Sequence, residues 1–349
     1  MNIVYGVSGE GLGHVFEAIQ IVGRLQAEGH TVKVLTYGER ACDALAPFAP
    51  TRIEGITLAF TEEGMSVPAT VRANLACIPF YLRHWRRLRR ELEAFRPDIF
   101  VTAYEPFTTL AAHVLGRPLV SMDNQNELLH LPRPAGAPWL EFRLVQLATL
   151  VATYGAAAYV IKSYTKAVPN TRRHRFVSPL IQRETEGMGP TEGGHVLVYL
   201  TKPNPALLAV LASLPGRFIV YCHDRTGTEG NLEFRARGAT FLPDLASARA
   251  IIGTTGFSLI ADAIFLGKPY FGVPLRRQFE QVYNAQFLAR SGFGEYSEAP
   301  TREQLARFLG ELQHFQARLG RRTLDPREQE AALLLVLEEL RQRPPVPVI

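Results

Sequence analysis

Three cysteines in 349 residues, Cys42, Cys77 and Cys222, are too few and too scattered for a disulfide framework, and their spacing suits no zinc site. No Asp-x-Asp pair occurs anywhere in the chain. Paired carboxylates holding a divalent ion against a diphosphate are therefore not expected, and neither a metal nor another cofactor is indicated. Long apolar runs are missing too. Residues 144–161 carry no charge, but the stretch is rich in Ala, Thr, Gln and Tyr and Gly155 interrupts it, whereas a membrane span needs about 20 strongly apolar residues. A buried helix followed by a strand is expected there. The opening MNIVYGV reads as an apolar strand without the basic flank of a secretory leader. The expected location is cytoplasmic, at most peripheral to the inner face of a membrane.

What is present is globular material, 47% hydrophobic and 20% charged, and enough chain for two domains of about 150–200 residues. The net charge of +5 comes from 38 basic and 33 acidic residues. Much of the excess lies in YLRHWRRLRRELEAF, with Arg83, Arg86, Arg87, Arg89 and Arg90. Between them Tyr81, Leu82, Trp85, Leu88 and Leu92 recur at roughly helical spacing. A helix over 81–92 suits either an anionic membrane surface or packing of its apolar face on a sheet. A basic patch of this kind attracts nucleic acid, anionic lipid or an acidic substrate, or is simply a solvated helix face; nucleic acid is not the expected partner.

Short apolar runs alternate with helix-length amphipathic stretches, the pattern of parallel α/β architecture. Strands are expected at Asn2–Val7, Thr31–Tyr37, Thr51–Phe60, Asp98–Ala103, Pro118–Met122 and Ala157–Lys162, with a helix from Gly13 to a C-cap at Gly29. Around Val168–Glu192 the pattern breaks into Pro, Gly, Thr and charged residues and reads as a linker. Alternation resumes with strands at His195–Leu200, Phe218–Tyr221, Arg249–Ile252 and Pro269–Val273. Thr301 and Gln304 form a capping-box signature, and a last helix spans Arg327–Arg341. The expectation is two Rossmann-like domains, 1–180 and 181–349, with the C-terminal helix returning to the N-terminal one.

The first strand runs into GVSGEGLGHVFEA. Gly9, Gly11 and Gly13 allow a tight strand-to-helix turn. The dinucleotide pattern GxGxxG fails, because its third glycine falls on His14, and no GK[ST] follows for a phosphate-binding loop. What remains is a turn that delivers His14 to a helix start at the C-terminal edge of a sheet, where open α/β sheets bind ligands. The positive helix end favours neutral imidazole, the form a general base needs.

The second constellation spans residues 250–296. A strand ends at Gly253, and Thr254-Thr255-Gly256-Phe257-Ser258 opens a helix carrying Asp262. Unpaired amides and the positive dipole at such a start suit a diphosphate. One turn further on, Asp262 is placed to accept from ribose hydroxyls, and Glu280 with Gln281 offers groups that read sugar hydroxyls. This segment resembles the nucleotide-diphosphate-sugar signature of GT-B glycosyltransferases. It is similar to that of UDP-glycosyltransferases and of the lipid-linked N-acetylglucosaminyltransferase of peptidoglycan synthesis. Thr255, Gly256, Phe257 and Ser258 match the diphosphate turn. Asp262 matches the ribose carboxylate, where Glu is usual, and Glu280-Gln281 before Asn284-Ala285 matches the sugar-contacting pair. GEGLGH, with Gly11 and Gly13, matches the family's glycine loop. The resemblance implies two domains facing across a cleft, with Thr201 and Asn204 completing the phosphate side and Phe241 lying where the nucleobase is read.

Glu105 and Asp123 sit at ends of first-half strands, where either is placed to orient His14 or touch an acceptor. The run Asp123-Asn124-Gln125-Asn126 offers dense hydrogen bonding to a glycan, or a turn of the same composition. The expected reaction is inverting, metal-independent transfer of a sugar, UDP- or dTDP-linked, to a hydroxyl of a glycan, a lipid-linked molecule or a small molecule. The alternatives are a sugar-nucleotide 2-epimerase of the same fold and a non-catalytic nucleotide-sugar-binding subunit.

Overall fold

The computed structural model describes every residue except 10–11, 56–59, 62–63, 66, 134–138, 165, 167, 223–224, 276–277, 321–323 and 343–349. It divides into two units, Met1–Leu180 with Asp325–Ile349, and Ile181–Leu324.

The first unit runs β1 (Asn2–Val7), α1 (Leu12–Ala27), β2 (Thr31–Thr36), α2 (Glu39–Ala44), β3 (Thr51–Arg52), β4 (Phe60–Thr61), β5 (Gly64–Met65), α3 (Val67–Phe95), β6 (Ile99–Ala103), α4 (Pro106–Val114), β7 (Leu119–Asp123), α5 (Trp139–Thr153), β8 (Ala158–Lys162) and β9 (His174–Val177). Its main sheet has the order β3-β2-β1-β6-β7-β8-β9, all parallel. Helices cover both faces, so its central strands are apolar nearly throughout; β6 and β7 are buried at every residue. Successive side chains take opposite faces. Ile3, Tyr5 and Val7 meet Val15, Ala18 and Val22 of α1, while Val4 and Phe100 meet Leu88 and Leu92 of α3 and Ala111 of α4.

The second unit continues with α6 (Arg183–Glu186), β10 (His195–Leu200), α7 (Pro205–Ala212), β11 (Arg217–Cys222), β12 (Gly227–Glu229), β13 (Leu232–Phe234), α8 (Phe241–Ser247), β14 (Ala250–Gly253), α9 (Phe257–Phe265), β15 (Tyr270–Gly272), α10 (Phe279–Ser291), β16 (Gly294–Tyr296), α11 (Arg302–Gly310) and α12 (Leu312–Leu319). The order is β12-β13-β11-β10-β14-β15-β16, parallel except for the β12–β13 hairpin. Val196, Val198 and Phe218 pack with Leu207 of α7 and Phe308 and Phe315 of α11 and α12. Thr301 and Gln304 form the expected capping box.

The structure corrects the sequence reading in several places. The stretch read as linker contains β9, whose Phe176 and Val177 are buried. Its His174 and Arg175 disguise it, as polar residues do on an edge strand. The strand expected over Thr51–Phe60 is limited to Thr51–Arg52, and residues 56–59 lie outside the described ones. The C-terminal helix returns to the first unit as expected, so the second unit ends at Leu324 and not at 349. α13 (Glu328–Arg341) sets Leu333, Val336 and Leu337 into the first unit's core beside α1, and Arg175 reaches Glu339 at 2.6 Å.

The basic helix is spent on the sheet. Leu88 and Leu92 are core residues and Trp85 meets Phe107 edge-on at 5.3 Å, while Arg87 and Arg89 pair with Glu91 and Glu93 on the outside. The apolar face that a membrane contact through 81–92 needs is consumed at its described positions; the side chains of 81–83 lie outside the described ones. Among the described residues no helix is long and apolar enough to cross a membrane. Residues 144–161 form the expected helix and strand, but only one side of α5 is buried: Thr149, Ala152 and Thr153 are covered, whereas Leu147 and Val151 are exposed.

Candidate active site

In each sheet the strand order reverses at one point, between β1 and β6 in the first and between β10 and β14 in the second. Ligands of open α/β sheets bind outside the carboxyl ends of the strands at such points.

In the first unit the loop leaving β1 passes Glu10 and Gly11, which lie outside the described residues, and Gly13 and His14 are the second and third residues of α1. The His14 ring stacks on Tyr104, centroids 6.4 Å apart and planes 13° apart. Tyr104 follows β6 with φ +58°, a backbone region unfavourable for a bulky side chain and typical of functional sites. The Nε2 atom of His14 lies 3.3 Å from Nε2 of Gln125. A glutamine amide donates to that nitrogen or, turned over, accepts from it, so Gln125 sets the tautomer. Nδ1 is enclosed, with no hydrogen-bond partner among the described residues. Burial, and then the charge of Lys162, push His14 down to about 3. Lys162, at the end of β8, is itself buried in an ion pair with Glu17, one turn beyond His14 on α1.

Neither expected carboxylate holds His14. Glu105 is the N-cap of α4, accepting from Phe107 N at 2.9 Å, Thr108 N at 2.6 Å and Thr108 Oγ1 at 2.5 Å. Asp123 accepts from Asn126 N, Asn126 Nδ2 and Ser121 Oγ at 2.7, 2.7 and 2.6 Å. Burial raises the pKa of both, against these hydrogen bonds. The groups beside His14 are an amide, a phenol ring and an ammonium, and the sequence signalled only the first, within its polar run.

In the second unit β10, β14 and β15 lie side by side, so the segments leaving their carboxyl ends are neighbours. Thr201 is exposed, and Asn204 caps α7, its Oδ1 accepting from Leu207 N at 3.0 Å. The turn after β14 is pinned from below. Thr254 N donates to Tyr199 O at 3.0 Å, and the buried Thr255 hydroxyl donates to Gln281 O at 2.7 Å. Gln281 in turn accepts from Leu275 N at 2.9 Å. Thr255 and Gln281 thus lock the turn to the start of α10, where Glu280 is half-buried.

Two glycines here differ in kind. At Gly253 a Cβ would lie 2.3 Å from Tyr199 O, so close strand packing requires glycine. At Gly256 a Cβ would meet nothing within 4 Å, and φ is −68°. No side chain caps α9, and the first-turn amides of a helix have no acceptor within the helix itself. Phe257 itself is buried and Ser258 half-buried. Thr254 Oγ1 is buried and has no partner among the described residues.

Phe241 opens α8 with its ring edge-on to Tyr199 and Tyr221, at 5.6 and 4.9 Å. Arg237 lies over this shelf, 5.0 Å from the Phe241 centroid, and donates to Tyr199 OH at 3.2 Å. No motif marks Arg237, and it was not anticipated.

Asp262 is 1% exposed and accepts from Gln182 Nε2 at 2.7 Å. Burial pushes its carboxyl up to about 7, against the hydrogen bonds from Gln182. A folded-state value above the unfolded one of about 3.9 means that the unfolded chain releases the proton first. Stability from this group is thus complete below about pH 4 and lost as pH rises to 7. Asp262→Asn is expected to raise stability at pH 8, by at most about 4 kcal/mol, and to leave it unchanged near pH 4. Melting curves at the two pH values check this, and a loss at pH 8 would mean that the native carboxylate is held charged.

Comparison with known proteins agrees with this architecture. The family model for glycosyl transferase family 1 matches residues 1–313. An uncharacterized glycosyltransferase of Methanosarcina acetivorans is 24% identical over 335 residues, covering 86% of this chain and 87% of the relative. Among solved structures the fold is similar to that of the glycotransferase of kitacinnamycin, with a TM-score of 0.70, 18% identity, and 97% of this chain and 98% of that one covered. It is also similar to spinosyn rhamnosyltransferase SpnG complexed with thymidine diphosphate, with a TM-score of 0.61, 17% identity, and 97% and 100% covered. The chain belongs to glycosyl transferase family 1 and is a glycosyltransferase of the GT-B type.

Proposed function

We propose that this enzyme moves a sugar from a nucleoside-diphosphate donor, UDP- or dTDP-linked, to a hydroxyl of a glycan, lipid-linked or small-molecule acceptor, in one inverting displacement. The observation that carries the donor reading is the uncapped start of α9 with open space over Gly256. Backbone amides and the helix dipole meet diphosphate charge there, with the guanidinium of Arg237 nearby. Ser258 adds a hydroxyl, Glu280 reads the sugar, and Asp262 reaches ribose once Gln182 gives way. Thr255, Gln281 and Asn204 shape the loops, and Thr201 and Phe241 border them. Thymidine diphosphate in the SpnG complex supports the donor class, and the complex of SpnG with spinosyn aglycone supports an acceptor of the aglycone kind.

In the chemistry, the acceptor oxygen forms a bond to the anomeric carbon as the bond from that carbon to the diphosphate oxygen breaks. The diphosphate leaves with the electron pair. The hydroxyl proton passes to Nε2 of His14 as the Gln125 amide gives that nitrogen up, since Nδ1 is enclosed. A base with a depressed pKa is weak, but an oxocarbenium-like carbon makes the attacking hydroxyl acidic late in the step, when the proton must go. A single displacement inverts the anomeric configuration.

The test is release of free nucleoside diphosphate from UDP- and dTDP-sugars, with and without acceptor, in EDTA. Acceptor-dependent release that persists in EDTA is expected. The sequence has no Asp-x-Asp pair, and among the described residues no three His, Cys, Asp or Glu side chains are grouped to hold an ion. Release restored only by magnesium or manganese would overturn the helix-terminus account.

A further inference from the structure

Helix α5 carries apolar residues on two sides. Inward, against α4 and residues 125–129, it buries Phe142, Thr149, Ala152 and Thr153, the two threonine hydroxyls bonding back to the carbonyls of Val145 and Thr149. Outward it turns Leu140, Leu144, Leu147 and Val151, a stripe continued by Tyr154 just past its end, exposed by 61, 36, 57, 61 and 70%. A surface helix of a monomer keeps that outer side polar. The intervals along this stripe are 4, 3, 4 and 3 residues, the 3.5-residue repeat with which one helix meets another.

Trp139 and Leu150 flank the stripe, and Leu110 and Val114 of α4 are exposed as well. These nine side chains present on the order of 1,000 Å² of apolar surface, against a few hundred Å² for the largest patch of an ordinary monomer and about 800 Å² per partner in a standard interface. Charge argues against a lipid occupant. An anionic bilayer attracts a helix through Lys and Arg beside the apolar face, whereas α5 has a single basic residue, Arg143, bonded to Gln146 at 2.9 Å.

We infer that this face docks a second copy of the same chain, α5 against α5, with Leu147 at the middle of the stripe nearest a two-fold axis. Such an interface is self-complementary and closes at two copies. The surface is separate from the residues assigned to donor and base, so the inference stands apart from the proposed reaction.

Sedimentation velocity of the full chain across a hundredfold range of micromolar concentrations tests it. The wild type is expected at twice the 38.8 kDa of one chain. Leu147→Glu is expected at the mass of one chain, with the circular dichroism spectrum and melting curve of a folded protein. Should that variant not fold, Leu147→Cys serves instead, and mild oxidation is expected to join two copies at position 147. A wild-type monomer at every concentration overturns the inference. So does flotation of the wild type, but not of Leu147→Glu, with phosphatidylcholine or phosphatidylglycerol vesicles in the absence of a dimer, because the stripe would then belong to a bilayer.

Discussion

His14→Ala is expected to lower turnover by about 10²–10⁴, the usual cost of losing a general base, and to leave donor affinity nearly unchanged. The two readouts separate because His14 lies on the first unit, whereas the residues assigned to the donor all lie on the second. The pH profile adds an independent check. Burial and Lys162 hold His14 down to about 3, so its ring is neutral throughout the ordinary range. The acid limb of kcat/KM due to His14 should therefore fall well below pH 6.5, not at the value of a solvated histidine. The linkage has the same sign: the unfolded chain binds this proton near pH 6.5 and the native chain resists it, so stability present above pH 6.5 is lost as the pH falls. A limb at pH 6.5–7 would mean that substrate binding rebuilds the ring's surroundings. Full turnover in His14→Ala would leave the histidine as a packing partner of Tyr104.

Sequence patterns revealed those parts of the fold that local physics dictates. β1, β8 and β10 are continuous apolar runs because both faces of a parallel sheet are covered. Gly29 ends α1 with φ +81°, His30 N reaching Leu25 O at 3.1 Å, and this depends on neighbouring residues alone. β9 was hidden because Arg173, His174 and Arg175 look like linker, and only the pairing with β8 makes Phe176 and Val177 core. At the site, residue type and position after a strand pointed to His14 and to the turn at Gly256. Partners were a different matter. Glu105 and Asp123 look alike as acids beside a histidine, but each is claimed by amides within three residues of itself. The amide of Gln182 meets Asp262 from 80 positions away. Lys162 meets Glu17 from 145 positions away. No spacing rule encodes such pairs. The outward stripe of α5 escaped for a related reason: its 3.5-residue repeat is equally the signature of a core-facing helix, and only exposure tells which side it serves.

Gly256→Val is expected to raise the donor dissociation constant by about a hundredfold or more, roughly 2.7 kcal/mol, while the protein folds as before. The backbone at Gly256, φ −68° and ψ 141°, is open to any residue, and an added Cβ meets no atom within 4 Å. The cost to the fold is the weaker N-cap preference of valine, under about 1 kcal/mol, or a few degrees in melting temperature. Nothing in the free protein, then, demands glycine at this position. If the diphosphate rests on the amides of Phe257 and Ser258, the demand comes from the donor, whose oxygens must come within hydrogen-bond distance of the backbone where the two γ-methyls would stand. Gly253→Ala is the contrasting control. Its Cβ would lie 2.3 Å from Tyr199 O, so it should lower the melting temperature and weaken binding only as the strand is displaced. Isothermal titration with UDP and dTDP, alongside melting curves, tells the two apart. Wild-type affinity in a folded Gly256→Val protein would move the diphosphate away from α9, and the donor site would have to be sought at the loops after β10 and β15.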